Sequence, residues 1–123
     1  MERAALVPGQ PTWRLIEARW ADEAEAQGEH LIFIEALNEA GARALGQPVR
    51  IRWGSSGLVV TILDKPPPEY GANFPMYATL GSYAVEIDGA PSDRVVGLGL
   101  GTAQDRGLKV HTCFYLTFRR IVP

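Results

Sequence analysis

Only one cysteine, Cys113, occurs in the 123 residues. That excludes an internal disulfide and any zinc centre built on paired thiolates. Histidine is nearly as scarce. His30 and His111 are the only two, and roughly 80 positions apart they show none of the short ligand spacings of a zinc or calcium site. No apolar run approaches the ~20 residues of a bilayer-spanning helix. Neither sign of charge dominates: 12 Lys and Arg face 14 Asp and Glu, a formal net charge of −2. The basic surplus that a dedicated nucleic-acid binder needs is missing. The start, Met1 to Pro8, lacks a basic region followed by an apolar stretch and does not read as a secretory signal. Either the protein is not exported by that route, or the chain is a mature or excised piece.

What is present is an ordinary globular composition, 46% apolar and 21% charged, which rules out a disordered or collagen-like chain. The length suits one domain. Residues 1–11, ending in Pro8-Gly9-Gln10-Pro11, read as a flexible N-terminal arm. Residues 12–123 then form the single domain. Segment 12–20 is strand-compatible and runs into an acidic connection around Asp22, Glu23 and Glu25. A helix over 16–27 would suit the propensities of Ala and Glu, but its small alanines would bury little, so a strand and a solvated turn are expected.

The strongest strand signals follow in order. Residues 30–37 are strand-like and end on the turn Asn38-Glu39-Ala40-Gly41. Val49, Ile51 and Trp53 alternate with Arg50 and Arg52, and the turn Gly54-Ser55-Ser56-Gly57 leads into residues 58–63. This predicts a hairpin with Val49, Ile51 and Trp53 buried and both arginines exposed. Residues 83–88 alternate again. The last strand, 109–121, puts Val110, Thr112, Phe114, Leu116 and Phe118 on one face. Six strand candidates and turn signals every ~8–12 residues predict an all-β fold, an antiparallel β-sandwich of about six to eight strands.

Residues 64–77 break the pattern. Pro66, Pro67, Pro68 and Pro75 are expected to exclude a sheet ladder. Yet the loop also carries Tyr70, Phe74 and Tyr77 with Asp64 and Asn73, and a loop this long is uncommon unless functional or packed by its own side chains. Its aromatic faces can stack on a pyranose while Asp64 and Asn73 bind hydroxyls. The same aromatics can instead pack the loop, the reading that the residues alone favour over an exposed binding surface. The candidate ligand-binding residues are therefore Asp64, Tyr70, Asn73, Phe74 and Tyr77, helped by residues 89–104.

Other constellations carry less. His111 and Cys113 share one face of a strand, roughly 7 Å apart, and read as a buried thiol with a nearby histidine rather than a catalytic pair. Gly97-x-Gly99-x-Gly101 resembles part of a dinucleotide fingerprint, but no βαβ unit surrounds it. No metal, cofactor or catalytic residue is expected, and at this length without a cleft-forming insertion the chain reads as non-catalytic.

The run from His30 to Leu63 resembles immunoglobulin-like and prealbumin-like modules of secreted and phage-associated proteins. The matching residues are Asn38-Glu39-Ala40-Gly41, Gly46-Gln47-Pro48-Val49, Trp53 and Gly54-Ser55-Ser56-Gly57. Thr61 and Asp64, separated by Ile62-Leu63, depart from the Thr-Asp pair usual there. Asp64–Tyr77, Pro91–Thr102 and His111–Phe118 also resemble an accessory β-domain found beside bacterial and phage cell-wall or polysaccharide hydrolases, a likeness covering about residues 12–120. It implies an immunoglobulin-like sandwich and a polysaccharide or protein partner, while the charge balance and short apolar runs predict no nucleic-acid partner and no membrane insertion. It also implies an extracellular, cell-surface or virion setting. A structural subunit, such as a virion decoration protein or a filament component pairing edge strands between copies, fits the same features.

Overall fold

A computed structural model describes residues 1–102, 104 and 110–123. Ala103 of the 89–104 segment and Lys109, expected to open the last strand, lie outside the described residues. Among those described, eight strands and one four-residue helix follow in chain order. They are β1 (Thr12–Ala21), α1 (Glu23–Ala26), β2 (Leu31–Leu37), β3 (Pro48–Trp53), β4 (Gly57–Ile62), β5 (Ala72–Pro75), β6 (Tyr83–Ile87), β7 (Val95–Leu98) and β8 (Cys113–Ile121). They form a β-sandwich of two four-stranded sheets, ordered β1-β8-β2-β5 and β4-β3-β6-β7.

The alternation of apolar residues builds the core between these sheets. Ile32, Ile34 and Ala36 of β2, Leu116 and Phe118 of β8, Val49 and Ile51 of β3, and Tyr83, Val85 and Ile87 of β6 all turn inward. Trp13, 1% exposed, is the largest buried side chain. The hairpin β3–β4 forms in the expected register, with Arg50 opposite Val60 and Ile51 opposite Val59. Arg50 and Arg52 stand on the outer face and pair with Asp88 and Glu86.

Trp53 departs from expectation. It is 37% exposed, because it ends β3 at the margin of the sandwich. Its indole lies over Gly57, where a Cβ would come within 2.4 Å of the ring. On the sandwich side its ring stacks on Phe74, at 6.0 Å between ring centroids.

Two further corrections concern the sheet containing β8. It is not purely antiparallel, since β2 and β8 run parallel, Ile32 opposite Phe114 through Leu37 opposite Arg119. The acidic connection after β1, with Asp22 capping α1 through the Glu25 N–H, carries the chain across two strand spacings, ~10 Å. β8 fills that gap between β1 and β2. The second correction is in the proline-rich segment, which does hold a ladder: β5 pairs antiparallel with β2, from Leu31 opposite Pro75 to Ile34 opposite Ala72. Pro66–Pro68 precede the strand and Pro75 ends it, and β5 is an edge, where proline is tolerated.

The N-terminal segment makes defined contacts. Glu2 and Arg94 exchange backbone hydrogen bonds, the Ala4 N–H donates to Asp93, and the Gly9 N–H donates to the Pro123 carbonyl.

Candidate ligand-binding site

The outer face of the β1-β8-β2-β5 sheet is organised by a bulge in β1. The register slips between Leu15 and Glu17, and the inserted Ile16 is 55% exposed. Before the slip Trp13 and Leu15 face the core. After it Glu17 and Arg19 stand on the outer face, opposite Thr117 and Tyr115. A bulge that re-aims side chains in this way is how a strand serves both a core and a surface.

The consequence is a row of side chains across four strands: Arg19, Tyr115, Phe33 and Asn73. Phe33 and Tyr115 stack nearly parallel, 4.7 Å between centroids and 9° between planes. The Arg19 guanidinium covers the Tyr115 ring at 4.1 Å. Tyr70 closes over the pair, edge-on to Tyr115 at 5.4 Å and tilted to Phe33 at 6.1 Å. Its hydroxyl donates to Glu17 Oε1 at 2.7 Å, and the same oxygen accepts from Thr117. Partial burial, followed by the hydrogen bond to Glu17, pushes the Tyr70 hydroxyl above its ordinary pKa. At neutral pH the tyrosine therefore remains a donor.

Residues 64–71 are held as a closed loop by a group far off in sequence. The Asp64 and Lys65 N–H groups both donate to the Gly71 carbonyl. Arg43 donates to the carbonyls of Lys65 and Glu69 and to the carboxylate of Glu35. The Arg43–Glu35 pair is largely buried, with side chains 16% and 13% exposed. Gly71 sits where a Cβ would approach Leu63 at 2.9 Å and Glu35 at 3.2 Å. This clamp leaves a cleft of about 270 Å³ lined by Phe33, Lys65, Pro68, Glu69, Tyr70, Asn73 and Tyr115.

The five candidate residues thus divide. Tyr70 and Asn73 meet at the cleft. Phe74, next along β5, points inward and packs on Tyr83 and Trp53. Asp64 is exposed beside the loop closure. Tyr77, 71% exposed, stands with His30, 5.3 Å between centroids. Phe33, Tyr115, Glu17 and Arg43 lie outside the five candidates expected from sequence. The alternation of residues 30–37 could have flagged Phe33, since it lies out of phase with the buried Ile32 and Ile34.

The remaining motifs resolve physically. The glycines of 97–101 serve the backbone. Gly97 and Gly101 have φ of +81° and +96°, and a Cβ on Gly99 would lie 2.0 Å from the Thr79 carbonyl oxygen. Cys113 is buried beside Ala21 and Ala26, and its sulfur accepts from the Leu31 N–H. Burial raises its pKa, and Glu29 and Glu25 add to the rise against the Leu31 contact. Glu25 is engaged with Arg19. Among the described residues no group of three or more His, Cys, Asp or Glu side chains gathers as a metal site.

A larger, mostly apolar recess of about 500 Å³ opens beside Trp20, Phe114 and Leu98. Among the described residues no helix is long and apolar enough to cross a membrane. The chain matches no family model, and no curated protein or solved structure shows significant similarity to it.

Proposed function

We propose that this chain is a non-catalytic binding module that recognises a cell-surface or extracellular polysaccharide at the Tyr70–Asn73 cleft. One observation carries the reading: stiff aromatic rings and hydrogen-bonding groups converge on one small, pre-shaped cleft. Tyr115 occupies one face of Phe33, and Asn73 stands on the strand at its other side. Asn73, Lys65 and Glu69 line the same space and supply donors and acceptors for hydroxyl groups. The size, just under the ~300–1,000 Å³ of small-molecule sites, suits one sugar unit of a longer chain. The Arg43 clamp and the Glu17 hydrogen bond fix the walls beforehand, which lowers the ordering cost of binding.

The test is retention by a panel of polysaccharides (peptidoglycan, chitin, α- and β-glucans) in affinity electrophoresis and pull-down. The expected result is retention by at least one of them. Tyr70→Ala and Asn73→Ala should each weaken it about fivefold or more, with melting temperatures reported separately. Loss of stability without loss of retention would show that the loop only packs.

A second reading rests on a different edge. β4 borders its sheet, and Leu58, Val60 and Ile62 on its outer side are 46%, 52% and 49% exposed. An apolar edge strand without a charged residue is open to pairing with another chain. That suits a structural subunit of a virion or filament, with copies joined along β4. A large homo-assembly in solution with no polysaccharide retention favours this reading over the first.

A further inference from the structure

We propose that His30 and His111 form a two-imidazole site for an exchangeable divalent transition-metal ion, bound most tightly as Cu2+. The inference is independent of the polysaccharide cleft. The two histidines are remote in sequence, but the fold places their rings 5.0 Å apart between centroids. His30 immediately precedes β2, and His111 lies two residues before β8. The parallel pairing of these strands brings both leading ends to the same end of the sheet.

The backbone sets the proton positions. His30 Nδ1 lies 2.8 Å from the Met76 carbonyl oxygen, and His111 Nδ1 lies 3.0 Å from that of Gly28. A carbonyl oxygen only accepts, so each Nδ1 carries the hydrogen. In the neutral rings each Nε2 then bears the lone pair, and no described residue donates to either. Ring N–H to backbone carbonyl is the outer contact that orients metal-binding imidazoles and raises their basicity.

The surroundings admit an ion. Both histidines are partly exposed, and Tyr77 beside His30 is 71% exposed. An ion bonded at ~2.0–2.1 Å to a nitrogen of each ring requires a ring separation of this order. Among the described residues no carboxylate or thiolate gathers with the two imidazoles; such a donor pair favours borderline ions over Ca2+ or Mg2+, and among those the affinity order peaks at Cu2+. Water completes the coordination, so the ion exchanges.

The experiment is calorimetric titration of the full chain with CuSO4 and NiCl2 in a non-coordinating buffer. It is repeated on His30→Asn, His111→Asn and the double variant. The Asn amide keeps a donor near the Nδ1 position and removes Nε2, and circular dichroism checks that each variant folds. One Cu2+ per chain is expected, bound more tightly than Ni2+. Each single substitution should weaken it about tenfold or more, with the double variant little worse than either. Electron paramagnetic resonance of the wild-type Cu2+ complex, which needs no variant, should show two coordinated imidazole nitrogens. No binding by the wild type, equal affinity in the double variant, or a spectrum with fewer than two imidazole nitrogens overturns the proposal.

Discussion

Asp93, in the connection before β7, ties the N-terminal segment and β1 together. It is fully buried, and its two oxygens accept from the Ala4 N–H, the Leu15 N–H and the Arg14 guanidinium. Burial alone would push its carboxyl up. The two backbone N–H groups and Arg14 outweigh that and hold it below the ordinary carboxylate value. Because the folded-state value is depressed, its stabilisation is present above the unfolded value of ~3.9 and is lost as pH falls through the folded one. Asp93→Ala strands two backbone donors and a mostly buried arginine, and should cost about 3 kcal/mol at pH 7. Thermal melts of both proteins from pH 7 to pH 3 check this. The gap in melting temperature should be widest near neutrality and narrow below about pH 4. A constant gap would remove the charge from the explanation. The same residue gives the N-terminal arm, expected from its prolines to be mobile, a fixed point at Ala4.

At the scale of elements, six strands were legible from sequence: alternation placed β3, β6 and β8, strand-compatible runs placed β1 and β2, and the Gly/Ser turn after β3 placed β4. What a local irregularity governs was not: the facing of β1 and the existence of β5. The bulge at Ile16 reverses the phase of β1, so no single alternation fits residues 12–20. Trp13 then enters the core while Trp20 lies at the margin, 44% exposed. β5 is four residues inside a proline-rich run, and its place depends on an edge of β2 that only the assembled sheet reveals. The cleft shows the same division: Tyr70 and Asn73 were visible as loop chemistry, whereas Glu17, Phe33 and Tyr115 come from distant strands and Arg43 from the β2–β3 connection. The glycine-rich segment is the sharpest case. Gly99 crosses the Thr79–Leu80 backbone so closely that a methyl group has no room. Gly99→Ala should therefore destabilise by more than about 2 kcal/mol, measured by urea unfolding. A change within ±0.5 kcal/mol would show that the chain yields there.

For the whole molecule, the two sheets divide the labour. The inner faces supply one continuous core, and the outer face of the β1-β8-β2-β5 sheet carries the aromatic row and the clamped loop. Arg43, reaching from the β2–β3 connection to Glu35, Lys65 and Glu69, ties that loop to the sandwich. The fold itself does not name a ligand, since one architecture hosts many activities; the chemistry of the cleft carries the functional reading. The most direct measurement is a backbone amide NMR titration of the full chain with soluble fragments of the polysaccharides in the binding panel. The account predicts amide shifts confined to Phe33, Lys65, Glu69–Asn73 and Tyr115, saturating with the fragment and needing about fivefold or more fragment to saturate in Tyr70→Ala. No saturable shift with any fragment, or shifts centred on β4, would contradict it.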